Sequence, residues 1–294
     1  MPELPEVETI RRGLEARIVD RTVSDVEVRV PKLFEGDPLQ LVDRTVIGLE
    51  RFGKLLVIQF DAEVVLTVHL KMTGQLVWRQ EQLDGDLLNL EEAVVGGHPQ
   101  AAYLAELPHK HTHVIISFTD GSKLYFNDLR KFGRMTVVPV SELEGVSFIQ
   151  RLGPEPLERE FTREYLKAQL AKRPKMVVKS FLLDQSNIAG LGNIYADESL
   201  FRAAIKPTRL AGSLAGGEVS NLYDAIQETL ELAIMYGGSS DRDYVDAVGE
   251  KGTFLKIANV YHRTGQDCNR CSEGVITRVV VGGRSTHFCP ACQR

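Results

Sequence analysis

Residues 268–292 have the sequence CNRCSEGVITRVVVGGRSTHFCPAC, which contains all four cysteines of the 294-residue chain. Two Cys-x-x-Cys pairs separated by 17 residues have the spacing of a four-thiolate zinc site. A redox-active pair is the alternative, but two such pairs at this spacing favour zinc. Four thiolates leave no coordination position open for water, so the metal is structural. The sequence therefore predicts one Zn²⁺ bound by Cys268, Cys271, Cys289 and Cys292.

The segment between the two cysteine pairs is a candidate β-hairpin. Two β-branched runs flank Gly282-Gly283, and consecutive glycines suit a tight hairpin turn. Arg284 directly follows the turn, where it is well placed to meet a phosphate.

Periodicity divides the rest of the chain into two parts. From about residue 160, apolar residues recur every three or four positions, which predicts helices; the segments are FTREYLKAQLAK, KMVVKSFLLD, NIYADESLFRAA and GGEVSNLYDAIQETLELAIMY. Residues 24–140 instead hold short β-branched runs separated by Gly, Asp and Pro, which predicts an antiparallel sandwich or barrel. A helix precedes them: Pro5 suits its first turn, and Val7, Ile10, Leu14 and Ile18 share one face.

These patterns predict an α+β multidomain protein. Residues 1–140 form an antiparallel β-sandwich with a leading helix, 141–156 a hinge linker, 157–260 a helical domain and 261–294 the zinc module. Residues 81–106 are expected to be a long, disordered loop between two strands, and 237–253, rich in Gly, Ser and Asp, a mobile loop.

The net charge of −5 argues against a nucleic-acid partner only until its distribution is considered. Residues 81–106 contain six acids and no Lys or Arg, whereas 251–294 contain seven Lys or Arg and two acids. A basic face is therefore compatible with the total. The apolar stretches are strand-sized, and the first thirty residues do not resemble a signal or transit peptide, so a cytoplasmic protein without membrane spans is expected. Cysteines confined to one tail argue against a disulfide-stapled secreted fold.

Three short segments carry weaker signals. GLGNIYADESL (190–200) is a glycine turn opening a helix, a geometry that suits phosphate but is usually structural. NDLRKFGR (127–134) places Arg130 and Phe132 on one side of an extended segment, as a side chain wedged into a base stack would require. A core phenylalanine is equally compatible with that pattern, and a core methionine is the default interpretation of Met72 in HLKMTG (69–74).

Taken together, the motifs resemble those of bacterial formamidopyrimidine-DNA glycosylases. The matching blocks, in order, are PELPEVET, HLKMTG, KHTHV, DLRKFG, LGPEPL, GLGNIYADESL and the terminal four-cysteine finger. This resemblance implies a helix–two-turn–helix motif in the helical domain. It also implies a bifunctional glycosylase and AP lyase of base excision repair. Such an enzyme removes 8-oxoguanine and formamidopyrimidines from double-stranded DNA, as a monomer associated with the bacterial nucleoid.

The resemblance also implies catalytic roles. After removal of Met1, the secondary amine of Pro2 is the nucleophile, and Glu3 is the general acid/base for sugar ring opening. Glu6 supports the site, and Lys54 assists β-elimination. Arg284 grips phosphate and takes part in δ-elimination.

For DNA, the resemblance implies that Met72, Arg130 and Phe132 fill the gap left by a flipped nucleotide, with Arg130 facing the estranged cytosine. Phosphate contacts are implied for His111, for Asn193 and for one of Lys175 and Lys179. The loop 237–253 corresponds to a lid over the flipped base.

Three features depart from the family pattern: Leu129 replaces a proline, the acidic stretch 81–106 is longer than usual, and His262 replaces a glycine. Two other functions remain open. An endonuclease VIII-like enzyme acting on oxidised pyrimidines is disfavoured by PELPEV, Met72 and the Arg130–Phe132 pair. A DNA-binding protein without catalysis is disfavoured by Pro2, Glu3 and Lys54.

Overall fold

The computed structural model describes residues 1–80, 94–97, 107–239 and 252–294, with only the backbone at 94–97. It consists of two compact units. The first unit contains Met1–Gln150 and Tyr236–Thr253, and the second contains Arg151–Met235 and Phe254–Arg294. The described residues at 236–239 and 252–253 thus belong to the first unit, although 157–260 was predicted to be the helical domain. The predicted boundaries at 140, 156 and 260 stay predictions.

The first unit begins with helix α1, Leu4–Ile18. Glu3 is its N-cap, and Pro5 lies in the first turn, where a missing amide proton leaves no hydrogen bond unmade. The predicted apolar face is confirmed, because Val7, Ile10, Leu14 and Ile18 are at most 1% exposed. This face joins the core of the sandwich.

Among the residues that the structure describes, ten strands follow, and they form two five-stranded sheets. The strands are β1 Val23–Val28, β2 Phe34–Glu35, β3 Val46–Phe52, β4 Leu55–Phe60, β5 Val64–His69, β6 Gly74–Arg79, β7 Val94–Gly97, β8 Thr112–Phe118, β9 Lys123–Asp128 and β10 Arg134–Pro139. The strand orders are β1-β8-β9-β6-β7 and β2-β10-β5-β4-β3. Neighbouring strands are antiparallel except β2 and β10. The predicted antiparallel sandwich with a leading helix is confirmed.

One of these strands differs from the sequence-based expectation. Strand β7 lies inside the acidic stretch and pairs with β6, although a loop was expected there. The remaining residues of 81–106, like most of 237–253, lie outside the described residues.

The second unit contains the predicted helices and the hairpin. The helices are α2 Arg163–Lys172, α3 Val178–Leu183, α4 Asn193–Arg202, α5 Gly216–Met235 and α6 Phe254–Ile257. Strands β11 Thr277–Val281 and β12 Arg284–Phe288 pair around Gly282-Gly283, whose φ angles are +53° and +75°. Both glycines occupy the left-handed region that a two-residue hairpin turn requires, so the predicted turn is confirmed. Within the described ranges, no helix combines the length and apolarity needed to cross a bilayer.

Candidate active site

The amino-terminal turn holds a buried pair of carboxylates beside Pro2. Pro2 is buried, and Glu3 and Glu6 are 5% and 2% exposed. The backbone amide of Glu3 donates a hydrogen bond to Glu6 Oε2 at 2.8 Å, as part of a capping box. This bond fixes the backbone immediately after Pro2.

The second oxygen of Glu6 reaches a distant part of the same unit. Glu6 Oε1 accepts hydrogen bonds from the Ser239 amide at 2.7 Å and the Ser239 hydroxyl at 2.9 Å. At neighbouring Gly238, which has a φ of +83°, a Cβ would lie 2.9 Å from the same oxygen. Glu6 therefore joins the amino-terminal turn to residues 236–239, and Gly238 allows that close approach.

Lys54 and His69 lie on the second sheet of the first unit. Lys54 follows Gly53 in the turn between β3 and β4 and is only 6% exposed. His69 ends β5, and burial lowers its pKa to about 3, with the nearby charges of Lys71 and Lys54 acting in the same direction. Its Nδ1 accepts a hydrogen bond from the Lys71 amide at 3.1 Å. His69 is therefore neutral at pH 7 and keeps its proton on Nε2.

An open cavity of about 640 Å³ lies beside His69. Its lining includes Lys71 and Arg134 together with Glu35 and Glu142. Cations and carboxylates are thus mixed along its wall, and it does not single out one sign of ligand charge.

Two adjacent turns expose the three side chains implied for a wedge. Met72 and Phe132 are 40% and 50% exposed, and Arg130 is also exposed. The Arg130 guanidinium carbon lies 4.7 Å from the centroid of the Phe132 ring, a cation–π contact. Met72 and Phe132 are therefore surface residues and not the core residues that the sequence also allowed.

The carboxylate of Asp128 holds both turns together. Asp128 is fully buried and accepts hydrogen bonds from the Thr73 hydroxyl and from the amides of Arg130, Phe132 and Gly133. The backbone around the exposed wedge residues is thus fixed from beneath by one side chain.

His111 is half-buried just before β8. Its amide donates a hydrogen bond to His109 Nδ1 at 3.1 Å. Burial lowers the pKa of His111, and the charges of Lys110 and Lys131 lower it further. These effects favour the neutral form of the ring, which can bind a phosphate through a hydrogen bond.

In the second unit, the two candidate phosphate-binding lysines have opposite environments. Lys175 is exposed, whereas Lys179 on α3 is fully buried. The Lys179 Nζ lies 2.6 Å from Asp197 Oδ1 on α4, and it donates to the Ser285 carbonyl at 2.9 Å and to the Thr286 hydroxyl at 2.8 Å. Lys179 therefore links α3, α4 and β12.

Asn193 and Arg284 both lie next to Ser285, whose carbonyl accepts the hydrogen bond from Lys179. Asn193 begins α4 and donates through Nδ2 to the Ser285 carbonyl at 3.0 Å. Arg284 is exposed at the start of β12. Asn193 is thus directed to the hairpin, while the Arg284 guanidinium is accessible to a ligand.

The four cysteines fit a tetrahedral zinc ion. All four Sγ atoms lie within 4.8 Å of one another. The separations are 3.8 Å for Cys268–Cys292 and 3.6 Å for Cys271–Cys289. Tetrahedral Zn–S bonds of about 2.3 Å place sulfurs about 3.8 Å apart. The predicted structural zinc is therefore confirmed as a fit of these donors.

The architecture is that of a zinc-finger protein of the DNA glycosylase class. It combines a β-sandwich with a leading helix, a helical unit and a four-cysteine hairpin. The N-terminal, H2TH and zinc-finger domain models of formamidopyrimidine-DNA glycosylase match residues 1–135, 152–244 and 265–294. The chain belongs to the formamidopyrimidine-DNA glycosylase family.

Similar proteins match over essentially their whole length. The formamidopyrimidine-DNA glycosylases of Pelotomaculum thermopropionicum and Heliobacterium modesticaldum are 42% and 43% identical to this chain. Each alignment covers 100% of this chain, with 99% and 100% of the respective relative. A Lactococcus lactis FPG mutant solved in complex with Fapy-dG-containing DNA superposes with a TM-score of 0.85 at 35% identity, with complete coverage of both chains. The Lactococcus lactis Fpg complex with abasic-site DNA gives 0.84 at 33% identity and 99% coverage of each chain.

Sequence reasoning did not assign roles to Asp128, Asp197 or His69. Asp128 lies in the quoted NDLRKFGR segment, and an Asp before a glycine turn is a recognisable signal for side chain–backbone hydrogen bonding. Asp197 could have been suspected because Lys179 interrupts an apolar run and so needs a buried partner. No sequence pattern around His69 indicated a role for this residue.

Proposed function

We propose that this protein is a bifunctional DNA glycosylase and AP lyase that removes oxidised purines from double-stranded DNA. The observation that carries the proposal is the amino-terminal turn, where Pro2 is buried beside Glu3 and held by the bonds of Glu6 to Glu3 and Ser239. The proposed site of action is the bacterial cytoplasm, on the nucleoid, as a monomer.

The proposed nucleophile is the amine of Pro2 after Met1 has been removed. An amino-terminal amine has a pKa of about 7.7–8.0, so roughly a tenth to a fifth of it is neutral at pH 7. Its lone pair forms a bond to the anomeric carbon of the sugar, and the bond from that carbon to the base breaks, with the electrons leaving on the base. The nitrogen then loses its one proton, Glu3 protonates the ring oxygen, and the nitrogen lone pair opens the sugar ring to an iminium ion. This ion stays positively charged, because its nitrogen has no further proton to lose.

The iminium ion explains the lyase activity. It withdraws electrons from the neighbouring sugar carbon, so a base can take a proton there and the 3′ phosphate leaves by β-elimination. A second proton loss releases the 5′ phosphate by δ-elimination. In this scheme Glu3 transfers protons during ring opening, Lys54 supports the first elimination and Arg284 the second.

The flipped nucleotide leaves a gap that exposed side chains must fill. We assign this role to Met72, Arg130 and Phe132, with Arg130 facing the estranged cytosine. The exposure of Met72 and Phe132 and the stacking of Arg130 on Phe132 support the assignment. The structures of the Lactococcus lactis protein with Fapy-dG and abasic-site DNA support the substrate class.

Phosphate contacts are proposed for His111, Asn193 and Lys175. Lys175 is favoured over Lys179 because its side chain is exposed, while Lys179 is buried against Asp197. The proposed role of the zinc ion is to hold the hairpin that carries Arg284.

The test is borohydride trapping on a duplex that carries 8-oxoguanine opposite cytosine. We expect a covalent adduct whose peptide maps to Pro2, and weaker trapping on a duplex with an oxidised pyrimidine. The matched control is Asp25→Asn, which changes an exposed carboxylate on β1 and should trap as the unmodified protein does. Binding without trapping by a processed, zinc-loaded protein would refute the proposal, and preferential trapping of the pyrimidine would favour an endonuclease VIII-like enzyme.

A further inference from the structure

The two turns that present Met72, Arg130 and Phe132 are far apart in sequence and must act together. Thr73 and Arg130 are 57 positions apart, yet the Arg130 amide donates to the Thr73 hydroxyl at 3.0 Å. Each turn also contains a lysine in the left-handed region, Lys71 with a φ of +52° and Lys131 with +56°. Such conformations persist only where the surrounding contacts determine the backbone.

The contacts that determine this backbone converge on the side chain of Asp128. Oδ1 accepts from the Thr73 hydroxyl and from the Arg130 amide at 3.1 Å. Oδ2 accepts from the amides of Phe132 at 2.8 Å and Gly133 at 2.7 Å. One carboxylate thus binds the residue after Met72 and the backbone of both Arg130 and Phe132.

Asp128 is itself held firmly, so it can serve as a fixed point. Its amide donates to the His111 carbonyl at 3.0 Å, and its carbonyl oxygen lies 2.7 Å from His113 Nε2. In the first sheet it stands opposite Gly74 of β6. A Cβ on Gly133 would lie 2.6 Å from Phe126 Cζ and 3.2 Å from Asp128 Oδ2, so the turn packs closely against this support.

We infer that Asp128 is the positioning residue for the side chains that fill the gap left by the flipped nucleotide. It does not touch DNA in this role and takes no part in bond making. It sets the spacing of Met72 relative to Arg130 and Phe132, and so controls base extrusion and discrimination of the opposite base. The inference rests on the proposed function, which assigns those three side chains to the gap.

The chemistry of a carboxylate explains why aspartate is needed. An ionised carboxylate only accepts hydrogen bonds and offers about four lone-pair sites, which matches the four donors present. Asparagine of the same shape has one acceptor oxygen and would keep the amides of Phe132 and Gly133. Its NH₂ group would then face Thr73 and Arg130, where only the hydroxyl can accept. Alanine would leave every donor in the cluster without this acceptor.

The experiment compares Asp128→Ala, Asp128→Asn and Thr73→Val with the exposed-carboxylate control Asp25→Asn. Each protein reacts under single-turnover conditions with 8-oxoguanine opposite cytosine, 8-oxoguanine opposite adenine, and an abasic site opposite cytosine. The abasic duplex needs no base pair to be broken, so it depends less on the wedge. A 2-aminopurine beside the lesion reports base extrusion separately from chemistry.

We expect the rate on 8-oxoguanine opposite cytosine to fall about 100-fold in Asp128→Ala and about tenfold in Asp128→Asn, the scale set by a misplacement of about 1 Å. Thr73→Val should fall between wild type and Asp128→Ala. Rates on the abasic duplex should change much less, the preference for cytosine over adenine should weaken, and the 2-aminopurine signal should decrease. Asp25→Asn should match wild type throughout.

An equal loss on all three duplexes, with the preference for cytosine unchanged, would overturn the inference and indicate a general stabilising role. Asp128→Asn and Thr73→Val keep the test decisive if Asp128→Ala does not fold. Failure of the proposed function is separate, because wild type would then trap neither of the two 8-oxoguanine duplexes.

Discussion

Replacing Lys179 by methionine tests the buried ion pair of the second unit. Lys179 and Asp197 are both fully buried, and their charged atoms are 2.6 Å apart. Methionine has a similar shape and no charge, so Lys179→Met leaves the Asp197 carboxylate without its cation in a dry environment. Breaking a buried pair in this way costs about 3–5 kcal/mol of unfolding free energy.

The structure also predicts the cost of removing both partners. In Lys179→Met/Asp197→Leu the buried ion pair is removed completely, but Asp197 Oδ2 no longer accepts from the His287 amide at 2.8 Å or contacts His287 Nδ1 at 3.3 Å. The amide is then a buried donor without an acceptor, which costs about 1–3 kcal/mol, and the longer Nδ1 contact adds less. The double variant should therefore be more stable than Lys179→Met alone, although it carries one more substitution.

Urea unfolding of the zinc-loaded protein, followed by circular dichroism, measures these differences. Lys175→Met, at an exposed position three residues before α3, is the control and should stay within about 0.5 kcal/mol of wild type. A Lys179→Met variant as stable as this control would refute the reasoning, because Lys179 could not then be confined to the pair. Loss of DNA affinity with unchanged stability would restore Lys179 as the phosphate contact.

Three further predictions concern the metal, a strained backbone position and a buried histidine. Chelation of zinc should unfold the hairpin, as measured by circular dichroism, and abolish DNA binding, as measured by electrophoretic mobility shift. Adding zinc back should restore the fold and the binding. DNA binding that is unchanged after chelation would contradict the prediction. His262 has a φ of +59°, and its ring centroid lies 4.5 Å from that of Tyr261 in a stacked arrangement. Because a β-branched residue is strained at this φ and glycine is not, His262→Val should lower the free energy of unfolding by about 1–2 kcal/mol and His262→Gly should be near neutral. Equal losses of both variants in thermal unfolding would exclude backbone strain as the cause. For His69, the folded pKa of about 3 lies below the unfolded value, so the unfolded chain binds more protons between these pH values. Stability should therefore be fully present above about pH 6.5 and fall towards pH 3, and His69→Gln should flatten this dependence in urea unfolding; an unchanged slope would rule His69 out as its source.

The sequence was sufficient for elements whose signal is local. The apolar face of α1 and the paired glycines of the zinc hairpin follow from spacing alone, because helix periodicity and turn geometry depend on neighbouring residues. Strand β7 was not predicted, because a four-residue strand within an acidic stretch is too short to show a periodicity of its own.

The candidate site was predictable only in part. Pro2, Glu3 and the cysteines were recognised through motifs, yet no motif reveals that Lys179 is buried on Asp197 while Lys175 is exposed. Such placement depends on contacts with Ser285 and Thr286, more than 100 positions away. The role inferred for Asp128 also required the structure, because Thr73 donates its hydrogen bond to Asp128 from a different turn of the chain.

Because residues 236–239 belong to the first unit, that unit is completed only late in synthesis. A ribosome adds about 5–20 residues per second, and domains generally fold as they emerge. Residues 1–150 emerge early, but Glu6 cannot reach Ser239 until α2–α5 have also been made. The hydrogen bond between Glu6 and Ser239 can therefore form only after most of the chain has been synthesised. A gene fragment ending at residue 150 would encode a first unit without this bond.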